Sequence, residues 1–500
     1  MRKRPENAFD AAPAVAGNGL IDRRALLGRG VAFAGAIGTG VGPSLTGAAA
    51  EPLSVPQWSK EPGAPFVGYG QPSKFEASVA RETFNPPNEP GSGVAFTPIH
   101  LLDGMITPNG LHYERSHSGI PEINPDAHRL VIHGLVRRPL IFTLDALARY
   151  PMESRITFLE CAGNGADLYE QDPVDETAQT LQGLISCAEW TGVKLSMLLD
   201  EAGVDPRAQW LLAEGADAAT MSRSIPMAKA MKDAMIALYQ NGERLRPSNG
   251  YPMRLLLPGY EGNMNIKWLR RIKVTQEPTI TRDETSHYTM LLQDDKAWQF
   301  YFPQDIKSVI TRPSPGLMMK GPGFYEISGL AWSGKARVAK VEVSADGGKS
   351  WAPAALQQPV LPIATTRFRM AWRWDGASAT LQSRATDEEG NVQPTREKLV
   401  AERGNKAFYH CNAITTWSVS RTGEVKHVYG RTGAHGGGTN CHGESQLDAA
   451  AYVNRNRPQR PRMEQWQLHD AASVPPSGKR VFRNCHERRN TRFPKVGAHA

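Results

Sequence analysis

The feature that most constrains this chain is a change of apolar period near residue 312. Before it, strand-like and helix-like segments mix. Leu130-Val131-Ile132, Ile156-Thr157-Phe158-Leu159 and Met253 to Leu257 are short apolar runs of buried-strand length. Leu195, Leu198, Leu199 and Ala202 fall at i, i+3, i+4 and i+7, and Gly203 follows as a helix stop. There is no regular strand–helix–strand period, so this part predicts an α+β domain. After the joint Arg312-Pro313-Ser314-Pro315-Gly316 the period becomes two. Val341 and Val343 alternate with polar residues, and Asp346-Gly347 marks a hairpin. Phe368, Met370, Trp372 and Trp374 alternate with Arg367, Arg369 and Arg373, predicting one apolar face and one basic face. With Ala379–Ala385, Thr415–Ser420 and Glu424–Tyr429 as further strands, the expectation is an immunoglobulin-like β-sandwich.

The ends differ in texture from the body. Of the 500 residues, with a net charge of +8, residues 1–50 hold six Lys/Arg against three Asp/Glu, and residues 431–500 hold twelve against five. The ends therefore carry +3 and +7, which leaves 51–430 at −2 and argues against a nucleic-acid-binding core. Arg23-Arg24, a Gly-rich mildly apolar run from Gly30 to Gly42, and Ala48-Ala49-Ala50 follow in the order of an export leader. The leader resembles the twin-arginine type, whose route carries folded proteins to the periplasm. No segment approaches the length of a membrane span. The organisation expected is a leader at 1–50, an extended Pro/Gly/Ser-rich arm at 51–100, a catalytic domain at 101–305, the sandwich at 306–430, and a disordered basic tail at 431–500.

The chemistry concentrates at Phe158-Leu159-Glu160-Cys161-Ala162-Gly163-Asn164-Gly165. A buried strand ends at a cysteine, and small residues follow that let a bulky group approach the backbone. A thiolate there is suited to a soft metal. A buried cysteine on its own is most often a small hydrophobe, and no second Cys or His stands at zinc-ligand spacing. The five cysteines are odd in number and widely spaced, which excludes a disulfide scaffold.

Four blocks in order shift that balance. The Cys-Ala-Gly-Asn loop resembles the molybdenum-binding loop of the sulfite oxidase family. Pro108-Asn109-Gly110-Leu111-His112-Tyr113-Glu114-Arg115-Ser116-His117, Glu214-Gly215-Ala216-Asp217, and Asn249-Gly250-Tyr251-Pro252-Met253-Arg254 with Asn265-Ile266-Lys267-Trp268 are similar to its pterin-wrapping segments. Val343-Ser344-Ala345-Asp346-Gly347-Gly348 is similar to its dimerisation-domain hairpin. The resemblance covers about residues 95–427. It implies a molybdopterin domain followed by a dimerisation sandwich, and a molybdenum cofactor with Cys161 on the metal. Tyr113, Glu114, Arg115, Ser116, His117, Asp217, Asn249, Arg254, Asn265, Ile266 and Lys267 would hold the cofactor. Arg115, Cys161 and Tyr288 would act on substrate.

Departures from the family pattern narrow the expectation. Gly165 and Ala166 stand where sulfite oxidases have two arginines, and Asn249 stands where many have a histidine. Tyr288, in Ser286-His287-Tyr288, is the candidate for the family's active-site tyrosine. Less positive charge by the metal and the Asn412-Ala413-Ile414-Thr415-Thr416-Trp417 ending resemble the sulfane dehydrogenases of the Sox thiosulfate-oxidation system. Those enzymes oxidise sulfane sulfur on a carrier protein and pass electrons to a c-type cytochrome, in a homodimer or heterotetramer. The alternatives are a sulfite dehydrogenase and a metal-free β-sandwich interaction protein. In the tail, Cys441-His442 and Cys485-His486 lack the first cysteine of a Cys-x-x-Cys-His haem motif, with Gly438 and Phe482 in its place. Haem c is therefore not expected on this chain.

Overall fold

The computed structural model describes residues 14–21, 60, 62 and 64–430. The arginine pair, the proposed cleavage site and the haem-like tail segments lie outside the described residues. In the first domain, Met152–Glu160 and Ile185–Lys194 pair antiparallel from Met152 opposite Val193 to Glu160 opposite Ile185. Met235–Gln240 continues this sheet, with Glu243–Arg244 and Arg254–Leu256 pairing to it. A second sheet runs in the order Ser222–Pro226, Trp210–Gly215, Leu269–Thr275, Leu130–Gly134, Leu140–Phe142. Its one parallel pair, Leu269–Thr275 with Leu130–Gly134, makes the sheet mixed, as the irregular sequence period implies. The helix Leu195–Ala202 buries Leu195, Leu198, Leu199 and Ala202 in the core between the sheets, and Gly203 ends it at φ +70°.

The second domain packs two antiparallel sheets. One joins Lys307–Arg312, Gly323–Trp332 and Thr366–Trp374; the other joins Val338–Ser344, Ala379–Asp387, Thr416–Val419 and Val425–Val428. Residues 379–387 alternate one by one between buried and partly buried, the signature of a strand with one face in the core. Trp332, Trp372 and Trp417 are wholly buried in that core. The proline joint lies inside the sandwich, between its first two strands, because Lys307–Arg312 already belongs to it.

One expectation about this sandwich is overturned. The arginine face of Thr366–Trp374 is not a basic surface. Arg367 is 2% exposed and donates to the Leu102 and Gly104 carbonyls and to Thr311 Oγ1. Arg369 pairs with Asp103 and Glu326. The loop at 102–105 covers that face, and its carbonyls take the place of water around the guanidinium.

The Pro/Gly/Ser-rich stretch before residue 101 has short strands of its own. Glu82–Phe84 and Gly93–Phe96 pair with each other, and Gly93–Phe96 also pairs with Glu114–Ser116. The two domains share a core. Phe158, Leu168 and Ile185 of the first pack in one cluster with Val309, Trp332 and Trp417 of the second. No helix among the described residues is long and apolar enough to cross a membrane.

Candidate active site

Cys161 sits where the strand Met152–Glu160 runs out. Its amide donates to the Leu184 carbonyl at 2.9 Å, one pairing step past the sheet. The chain then turns tightly, with the Asn164 amide on the Cys161 carbonyl at 3.0 Å and Gly165 at φ +81°. A Cβ on Gly165 would fall 2.8 Å from the Gln182 amide and 3.1 Å from Lys307 Nζ, and the left-handed backbone there favours glycine.

The loop is anchored from below by buried polar groups. Glu160 accepts from Trp332 Nε1 at 2.7 Å, Asn164 Nδ2 at 2.9 Å and Lys307 Nζ at 3.2 Å. Lys307 also donates to the Asn164 carbonyl, and Asn164 Oδ1 accepts from the Leu184 amide. The His410 amide holds the Ala162 carbonyl at 2.7 Å. Lys307, Trp332 and His410 come from the second domain, so that domain sets the position of the thiol.

Cys161 opens into a cleft. Every site residue expected from the sequence lines it: Tyr113, Glu114, Arg115, Ser116, His117, Cys161, Asp217, Asn249, Arg254, Asn265, Ile266, Lys267 and Tyr288. Sequence reasoning missed His112, Ser248, Asn263 and Trp268, which also line it. His112 and Trp268 stand inside the recognised blocks, so the blocks themselves were the available signal.

Three cations face this cleft, and neutral oxygens hold them. Arg254 donates to the Asn249 and Asn265 carbonyls, each at 2.9 Å, and stacks 5.0 Å from the Trp190 ring. Lys267 donates to the Arg115 and Ser248 carbonyls, each at 3.1 Å. Arg115 reaches Ser92 Oγ, the Gly93 carbonyl and the Ser116 carbonyl. Burial, with Arg254 close by, brings the Lys267 pKa down to about 7. Burial brings Arg254 down to about 10. Burial also pushes the Cys161 thiol up, against the pull of the Gly163 amide and Arg115.

On the opposite wall the Tyr288 hydroxyl is 2.8 Å from His117 Nε2. Burial, and then the neighbouring Cys161, raises the tyrosine well above its ordinary value. Burial and Arg115 lower His117 to about 3. Both groups are therefore neutral, and the tyrosine keeps its proton. Tyr301, the next tyrosine along the chain, instead bonds Asp305 and does not line the cleft.

The donor set fits an anionic, metal-bearing ligand. Among the described residues no carboxylate pairs with Arg254 or Lys267 within salt-bridge distance. Arg254 Nε, His112 Nε2 and both ends of the Asn263 amide are buried without partners. Arg254 Nε and the Asn263 amide nitrogen are donors that a phosphate-bearing cofactor would satisfy, while His112 Nε2, whose Nδ1 donates to the Tyr113 carbonyl, can accept from a ligand N–H. A single thiol with no His/Cys/Asp/Glu cluster around it among the described residues suits a metal that brings its other ligands with it.

An α+β domain with such a cleft, followed by a sandwich, defines a molybdopterin-dependent oxidoreductase. Residues 117–282 match the family described as oxidoreductase molybdopterin binding domain, and residues 300–416 match the Mo-co oxidoreductase dimerisation domain. Chicken (Gallus gallus) sulfite oxidase is 30% identical over 369 residues, covering 66% of this chain and 79% of that protein. The chain belongs to the sulfite oxidase family, and its cofactor is molybdenum on molybdopterin. The NADH nitrate reductase of Solanum lycopersicum is 33% identical over 342 residues, but only 37% of its length is covered. The solved sulfane dehydrogenase SoxCD from Paracoccus pantotrophus is similar at 46% identity with a TM-score of 0.73, over 75% of this chain and 97% of that one.

Proposed function

We propose that this enzyme oxidises sulfane sulfur held as a persulfide on a carrier protein's cysteine, in the periplasm, and passes the electrons to a c-type cytochrome. The observation that carries this reading is the 46% identity to a sulfane dehydrogenase over nearly all of that chain. The cleft supports it. Gly165 and Ala166 stand where sulfite oxidases have two arginines, so the thiol loop adds no positive charge of its own. A site with fewer free cations suits a singly charged persulfide on a polypeptide better than a small dianion such as sulfite.

Each residue then has a role. Cys161 would hold the metal as a thiolate, which a metal favours over the thiol. Arg254 and Lys267 would take the cofactor's phosphate, with Asn249 and Asn263 also lining the cleft. The cofactor, when bound, would supply oxygen-atom transfer and the capacity for two electrons. Arg115 stabilises the anionic sulfur oxygen as it forms. Tyr288 offers a neutral hydroxyl, oriented by its contact with His117. One turnover balances as R–S–S⁻ + H₂O → R–S–SO⁻ + 2 H⁺ + 2 e⁻.

The test is reduction of a c-type cytochrome by the molybdenum-loaded enzyme given a peptide that carries a cysteine persulfide. Turnover is expected with the persulfide and little with free sulfite. Cys161→Ser should lower turnover by at least about a thousandfold with an unchanged melting curve. Comparable turnover of sulfite and none of the persulfide would replace this reading with a sulfite dehydrogenase. A fully active Cys161→Ser enzyme with full molybdenum content would sink both.

A further inference from the structure

Residues Ala14–Ile21 lie in the stretch read as a leader, yet they are built into the sandwich. Ala14–Ala16 and Leu20–Ile21 form a hairpin around Gly17–Gly19. Leu20 and Ile21 pair antiparallel with Trp372 and Ala371 on the outer edge of Thr366–Trp374. Leu20 is 0% exposed and joins the sandwich core. The bonds are made in both directions. The Gly17 amide donates to Ser350 Oγ, Asn18 Nδ2 to the Ala345 carbonyl, and Trp372 Nε1 to the Asn18 carbonyl, each at 2.7 Å. Gly19 has φ +81°, and a Cβ on it would fall 2.1 Å from the Arg373 carbonyl oxygen. The site is therefore shaped for this particular Asn-Gly-Leu-Ile segment.

The rest of that edge is covered by Ala355–Leu356, which pairs with Arg369 and Phe368. Without residues 14–21, the edge at 371–372 and the Trp372 indole lose their partners. An open edge beside a buried tryptophan is a ready template for another strand.

We propose that residues 14–21 are a detachable edge strand: the leader's own segment docks on the folded sandwich, caps the Thr366–Trp374 edge in the full-length chain, and yields it to a second copy of this chain when the leader is removed. The sandwich as a whole, residues 300–416, matches a dimerisation domain, and this edge is part of it, which supports a second copy as the later occupant. Because the dock needs Ala345, Ser350, Ala371 and Trp372 together, the segment can bind only a sandwich that has already folded. The release step rests on the reading of residues 1–50 as a leader; the docking does not.

Hydrogen exchange on the full-length, molybdenum-loaded chain tests the dock. Leu20→Asp with Ile21→Asp should speed exchange at residues 371–373 by about tenfold or more, with the rest of the sandwich unchanged. Unchanged exchange at 371–373, or loss of protection throughout the sandwich, would overturn the proposal. A peptide of residues 11–22 gives an independent reading by calorimetry. It should bind a chain beginning at residue 51, and fail to do so with Leu20→Asp or with the full-length chain as target. Sedimentation tests the release. The full-length chain should be less associated than the chain from residue 51, and the Asp variant should behave like the shorter chain; equal association in all three overturns it. N-terminal sequencing of the exported protein separates the two ideas. Retention of residues 14–21 there ends the leader reading and the release step, while the exchange data still judge the dock.

Discussion

The buried cations of this protein fall into two groups that are held in opposite ways. Lys307, Arg223 and Arg403, which support the fold, have close carboxylate partners, whereas Arg367 sits among carbonyls with Asp103 3.8 Å away. Lys307 pairs with Glu160 at 3.2 Å, Arg223 with Glu261 at 3.0 Å, and Arg403 with Asp305 at 3.1 Å. Those that face the cleft, Arg254 and Lys267, have backbone carbonyls alone. A carbonyl orients a cation without neutralising it. The first group completes its electrostatics within the protein, and the second completes it only with a ligand. This difference locates the cofactor's anionic end more directly than the cleft's size does.

The comparison can be broken by substitution. The largest effect is expected at Arg254. Arg254→Met should weaken molybdenum cofactor retention by about a hundredfold, measured as metal per chain after gel filtration, since charged hydrogen bonds are lost on the ligand side. Full metal content in that variant would remove Arg254 from the cofactor-facing group. At Lys307, Lys307→Met should cost about 3–5 kcal/mol in denaturant unfolding, because Glu160 is left charged and buried. Adding Glu160→Gln should recover part of that loss; strict additivity would mean the pair does not act as a pair.

Lys267 gives a pH signature. Its pKa falls from 10.5 to about 7 on folding. The unfolded chain thus binds more protons than the folded one between pH 7 and 10.5, and the stability of the cofactor-free protein should rise with pH across that window. Lys267→Met should flatten this rise, and cofactor binding should do the same by giving the ammonium an anion. A slope equal in wild type and variant would show that Lys267 is not the group responsible. The smallest effect is expected on the opposite wall. Tyr288→Phe should lower kcat by about tenfold to a hundredfold with little change in KM, as loss of a proton-donating group does. An unchanged kcat would leave Tyr288 as packing against Tyr409, whose ring is 5.4 Å away.

Most of the cleft is legible in the sequence because its residues lie in short blocks. Pro108 to His117 and Asn249 to Lys267 each carry several lining groups, and Cys161 opens the Cys-Ala-Gly-Asn loop, so local pattern and family resemblance suffice. The helix at Leu195–Ala202 and its Gly203 stop are legible for a similar reason: an i, i+3, i+4, i+7 pattern with a glycine is a local signal. What escapes are groups whose meaning depends on distant neighbours. Arg367 reads as part of a basic face, yet its guanidinium is buried under a loop more than 260 residues away in sequence. Lys307 carries no motif, although it anchors the thiol loop 143 residues before it. The segment 14–21 falls within the stretch read as a leader, and its fit to the edge at Trp372 spans more than 350 residues.

The sequence by itself determined the two-part architecture and the thiol at a strand end, which follow from period and residue type within short windows. The anionic-cofactor chemistry around the thiol is what the resemblance of its blocks to the sulfite oxidase family implies. Only the tertiary structure decided which cations are neutralised and which wait for a ligand, how the second domain anchors Cys161, and what covers the sandwich edge. Each of those is a matter of distance between residues far apart in the chain. Electrostatic pairing, burial and strand docking act through that distance, and periodicity along the sequence does not encode it.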